Sequence, residues 1–251
     1  MGLFKAGNPA FNEKTISKIT YESGQELMTA NGAIKKFGLM LVMLLGAASF
    51  TWSAFYQGVN VLPWAMGASI AGFVVALVII FKKSWAPYLA LGYALLQGLF
   101  LGAISAVFEA AFADKYPGIV MQAVMLTFGV AIGMFALYYF RIVQATETFK
   151  KVVIGATIGI ALFYLVALVM NLFGAQMPYL HSNGLVGIGI SVFVVVVAAL
   201  NLILDFDLIE QGAAHGAPKY FEWYCAFGLL VTIVWLYLEI LKLLSKLASR
   251  K

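Results

Sequence analysis

The sequence predicts an all-α integral membrane protein, a bundle of seven transmembrane helices, on three observations. Of the 251 residues 63% are hydrophobic and 11% charged, with a mean hydropathy of +0.95, whereas about a quarter of a soluble domain is charged. Seven apolar runs each reach the length of about 20 residues that a helix needs to cross a hydrocarbon core. Lysine and arginine collect in the breaks between those runs. Strands of a membrane barrel would instead be about ten residues long and alternate in character.

Residues 1–36 form a polar cytoplasmic segment, with Lys5, Lys14, Lys18, Lys35 and Lys36 set against Glu13, Glu22 and Glu26. The first apolar run begins only near Phe37, too late for a cleaved signal peptide, so the segment is expected to stay on the chain. The transmembrane domain, 37–247, holds runs at roughly 37–58, 61–81, 86–112, 119–140, 152–173, 184–208 and 221–246. The breaks carry turn residues: Asn60 and Pro63, Lys82-Lys83 before Pro87, Pro117-Gly118, Arg141 to Lys151, Pro178, and Pro218.

With the N-terminus inside, the inner segments hold five, two, three and one Lys or Arg, against Lys115 and the tail outside. That excess favours a cytoplasmic N-terminus in the cell (inner or plasma) membrane. The tail, with Lys242, Lys246, Arg250 and Lys251, then lies outside after seven crossings, unless the last run re-enters.

Glycines four apart, at 98 and 102, 129 and 133, and 155 and 159, let helix backbones approach closely in lipid, and tight packing within the chain is the expected use. Trp52, Trp64, Trp85, Tyr138, Tyr139, Trp223 and Tyr224 near run ends fit interfacial anchors. The basic residues beside apolar spans meet membrane lipid headgroups, and nucleic acid is not an expected partner. The single cysteine, Cys225, excludes an internal disulfide, and His181 and His215 lie in loops on opposite sides. No G-x-S-x-G elbow, H-E-x-x-H, P-loop or dinucleotide fingerprint occurs, so neither an enzyme nor a bound cofactor is expected. Ser191 in GIGIS lacks an intramembrane histidine as base and reads as part of a glycine-assisted packing face.

The informative residues are acids where a membrane helix should have none, since a charge at its centre costs at least ~2.5 kcal/mol. Asn201 and Asp205 share a helix face, whereas Asp207 points about 200° away from Asp205. Asp205 is therefore assigned to the interior, and Asp207, with Glu210, to a cytoplasmic boundary. Glu239 lies well inside the last run, with Lys242 and Lys246 on its face. Two carboxylates in a low-dielectric site share a proton, respond to pH, and when ionised offer oxygens suited to transient Ca²⁺. Counting rise per residue puts Glu239 about 10 to 20 Å deeper than Asp205, so the two meet only if residues 217–226 do not climb; Glu222 is the substitute partner. Gln97 is central in the third run and needs hydrogen-bond partners, while Glu109 near its outer end is expected to be solvated.

NPAFNEKT, MTANGAIKKFGLML, YALLQGLFLGAIS and the terminal LDFDLIEQGAAHGAPKYFEWYCAFGLLVTIVWLYLEILKLL resemble the Bax inhibitor-1 family, in particular its bacterial YccA-like branch. The resemblance implies seven helices with the last near the centre, and a pH-sensitive Ca²⁺ leak controlled by two acids. LDFD supplies Asp205 for the first, and LYLE supplies Glu239 for the second, with glutamate in place of aspartate. Gln97-Gly98 stands where the family carries Glu-Gly. The first expectation is thus a proton-regulated cation leak, with H⁺ and Ca²⁺ as its ligands. The alternative is a non-transporting modulator of a membrane protease or stress-response complex, acting through the N-terminal arm.

Overall fold

The computed structural model describes residues 26–174 and 184–250; the arm up to residue 25 and His181 lie outside them. Seven helices in this range are long and apolar enough to cross a membrane, and no strand occurs among the described residues. They are α1 (Ala30–Tyr56), α2 (Leu62–Phe81), α3 (Ala86–Phe112), α4 (Ile119–Tyr139), α5 (Glu147–Leu172), α6 (Leu185–Ala214) and α7 (Phe221–Ala248). The fold is all-α and the protein a multi-pass membrane protein.

Helix ends follow local chemistry more than the edges of apolar runs. α1 starts at Ala30, several residues before the apolar run, because Thr29 caps it: the Thr29 side chain accepts from the Gly32 N–H. A 3-10 turn, Lys83–Trp85, leads into α3, and α6 continues past the apolar run to Ala214. α7 is unbroken over 28 residues, about 42 Å of rise, so the tail follows a full crossing length and not a re-entrant half-helix.

The chain divides into two compact units, residues 1–103 with 145–150 and 204–230, and residues 104–144 with 151–203 and 231–251. In the first, α1 buries one stripe, Ala33, Met40, Leu44, Ala47, Thr51 and Ala54, at helical spacing. Gly98 and Gly102 of α3 sit on it: a Cβ at either would meet the carbonyl of Leu44 or Ala48 and the side chain of Ala47 or Thr51. Tyr93 of α3 meets Phe227 of α7 edge-on at 4.8 Å, and Ala54, Val61, Ala65 and Ala103 form a further apolar cluster.

In the second unit Ile160 of α5 and Val194 and Val197 of α6 pack with Tyr164 and Trp235. Ser105 and Tyr237 share a hydrogen bond of 2.6 Å. Glu109 is not simply solvated: its carboxylate accepts from the N–H groups of Gly118 (2.6 Å) and Val120 (3.1 Å), satisfying donors that the start of α4 leaves open. Gly118 can take that place because its φ of 79° is left-handed. Around Gly129, Gly133, Gly155 and Gly159 a Cβ would meet open space, so these pairs do not serve close packing among the described residues.

Burial is graded among the helices. In their most apolar windows 61% of α7 is buried, against 17% of α4 and 11% of α5. Without a hydrophobic drive between helices in lipid, polar ties and small-residue packing must hold the enclosed helix, which directs attention to the polar groups on α7.

Candidate functional site

Glu222 opens α7 and is fully buried. Its Oε1 accepts from the Thr29 N–H at 2.8 Å and the Thr29 hydroxyl at 3.1 Å, and lies 3.3 Å from the Lys219 ammonium. Its Oε2 pairs with Lys36. A Cβ at Gly32 would fall on this carboxylate, so glycine there leaves the seat open. Beside it residues 26–28 run antiparallel to 217–219: Met28 N–H donates to Ala217 O at 2.8 Å and Lys219 N–H to Glu26 O at 2.9 Å, around a Leu27–Pro218 pair. Lys36 also lies 5.4 Å over the Trp223 ring.

Asp205 meets α7 one to two turns further on. It is part-buried, its Oδ2 enclosed, with Tyr224 and Cys225 nearby and Gly228 so close that a Cβ there would stand 3.7 Å from Oδ1. Lys83, from the turn before α3, stacks 5.2 Å over the Tyr224 ring. Asp207 points elsewhere, as the helical angle requires: it pairs with Lys150 at 2.8 Å and accepts from the Gln211 amide at 2.6 Å. Gln97 lies on the α2 side of α3, near Gly72, and hydrogen-bonds Tyr93.

Glu239 is only 2% exposed. Its Oε1 accepts from Lys242 at 3.0 Å and its Oε2 from the Tyr164 hydroxyl of α5 at 3.0 Å, with the Lys242 ammonium 5.0 Å over the Tyr164 ring. One turn on, Lys246 donates to Ser191 Oγ at 2.9 Å and to Gly187 O at 3.0 Å, so Ser191 is a hydrogen-bond acceptor. Asn201 gives its amide to Thr157 Oγ1 and to Val197 O, both at 2.8 Å. Asp205 thus lies beside Gly228 of α7.

Three partners of these acids escaped the sequence. Tyr164 sits in the aliphatic run IALFYLVAL, where a phenol in lipid demands an acceptor; that demand is a readable signal, though it does not name Glu239. Thr29 and Lys36 lie 193 and 186 residues from Glu222, and nothing local announces the contact.

No curated protein matches the chain. A family model described as Bax inhibitor 1 like matches residues 8–249, nearly the whole sequence, and with seven membrane-length helices and acids buried on the most enclosed of them, the chain belongs to the Bax inhibitor-1-like family.

Proposed function

We propose that the protein is a pH-sensitive cation leak, with Ca²⁺ as the first candidate ion, in which Asp205 and Glu239 are the proton-sensitive groups. The observation that carries this reading is Glu239, an almost fully buried acid on a membrane-length helix whose two oxygens are held by a phenol and an ammonium. Ionised, it accepts from Tyr164 and Lys242. A proton on it removes the charge that faces Lys242 and turns one acceptor oxygen into a donor, so the tie from α5 to α7 is remade on every titration. Asp205, beside Gly228 and the aromatic Tyr224, is a second acid against the same helix.

Among the described residues no three His, Cys, Asp or Glu side chains come together as a metal site. In a leak a cation would pass these acids in transit, at weak and multiple sites that release what they bind. Family membership supports the reading in kind. The excess of lysine and arginine in alternate loops supports a cell membrane with the N-terminus inside.

The test is Ca²⁺ entry into liposomes that carry the purified protein and a trapped calcium dye, across a pH series. Flux should depend on pH in the wild type and lose that dependence in the Asp205→Asn, Glu239→Gln double variant. An unchanged pH profile in the double variant sinks the assignment of these residues, and a wild type without flux sinks the leak.

A further inference from the structure

We propose that Glu222 is the bolt of a clamp through which the N-terminal arm sets the position of the last helix. Its carboxylate accepts three hydrogen bonds, two from Thr29 and one from Lys36, and faces the Lys219 ammonium at 3.3 Å. The bolt is fully buried and needs the missing Cβ of Gly32 for its seat. A carboxylate so placed must keep its partners, because a buried charge stripped of them is costly.

What it bolts is a short strap. Residues 26–28 are held to 217–219 by one antiparallel pair and two backbone hydrogen bonds, and the chain continues from residue 26 directly into the arm. A two-bond strap is weak alone, so the Glu222 contacts determine whether it stays shut. Pulling on the arm, or binding it, loads this strap first and Phe221-Glu222 next, the first turn of α7. Residues 26–29 and the first turn of the most enclosed helix are in this way mechanically one piece while Glu222 is seated. As regulation of the leak the clamp rests on the function proposed above; the coupling itself is a property of the fold.

Hydrogen exchange on the full chain in lipid nanodiscs tests it. Glu222→Gln should speed exchange at Met28 and Lys219 at least tenfold, and carry the acceleration into residues 223–228 of α7, with α5 unchanged. Gly32→Ala is the second probe, since it removes no charge and alanine is the better helix former; by evicting the carboxylate it should reproduce the acceleration.

A disulfide between Leu27→Cys and Pro218→Cys should restore slow exchange in the Glu222→Gln background, because a non-hydrogen-bonded antiparallel pair brings Cα atoms to about 4.5 Å, within disulfide range. Strap exchange unchanged in both variants, or strap release that leaves 223–228 unaffected, overturns the clamp. Liposome flux on the same variants separates the two claims: severalfold faster Ca²⁺ entry with Glu222→Gln is expected. Unchanged entry alongside released exchange removes the regulatory role. A wild type without flux removes the leak and leaves the exchange data to decide the coupling.

Discussion

Glu222 and Glu239 lie on one helix, are equally enclosed, and each face a lysine, yet they are built for opposite purposes. Glu222 has a lysine three residues away, Lys219, but it also pairs with Lys36 of α1 and accepts from Thr29, the residue before α1, 193 positions away in sequence. Lys242 stands three residues from Glu239 on the same helix and moves with it. An ion pair across elements holds them together, whereas one within a turn holds nothing to anything. Among the described residues the Tyr164 hydroxyl supplies the hydrogen bond that ties Glu239 to another helix, and Lys242 lies over the same ring. A knot that joins distant segments is expensive to undo. A tie of one hydrogen bond is easier to undo than a knot of several, which is what a switch needs.

The largest effect should therefore fall on Glu222. Glu222→Ala leaves Lys36 and the Thr29 N–H without their acceptor, and thermal unfolding in detergent should report a loss of about 3 to 5 kcal/mol. Replacing Glu222 and Lys36 together by methionine should recover most of it, since the desolvated charges go as a pair. A double variant no better than the single one would show that Thr29, and not the ion pair, makes the knot.

The glycine pairs offer a contrast of the same kind. Gly102→Val would drive its side chain into Ala48 O and Thr51, and should cost about 3 kcal/mol by the same assay. Gly133→Ala meets open space and should stay within about 0.5 kcal/mol of wild type. Equal effects at the two sites would mean that the α4 glycines are covered by something other than lipid.

The membrane class, the seven helices and the acids worth attention were legible in the sequence, because apolar length and misplaced charge are local signals. The opposite facing of Asp205 and Asp207 was legible too, since it follows from helical angle alone, and Asp207 duly turns to Lys150. The start of α1 was not, because a threonine cap outranked the edge of the apolar run. Glu109 looked solvated because nothing nearby says that α4 begins with open N–H groups within its reach. Identical glycine spacings gave one expectation for three glycine pairs. Only packing separates Gly98 and Gly102, pressed on α1, from the rest. The Glu222 knot was least legible of all, because its partners stand at the other end of the chain.

The two contacts of Glu239 give the finest test of the contrast. Tyr164→Phe keeps the ring and removes the one hydrogen bond that reaches from α5, leaving Oε2 buried without its donor; the expected cost is about 1.5 kcal/mol. Lys242→Met keeps the stem and removes a charge that is 47% exposed, so solvent already screens much of its pull, and the cost should be about 0.5 kcal/mol. The order is the point. If the lysine is a passenger of its own helix, its loss hardly loosens α7, and the tyrosine variant is the less stable in thermal unfolding. If Lys242→Met proves the more damaging, Glu239 needs its cation to remain buried at all, and its resemblance to Glu222 outweighs the difference drawn between them.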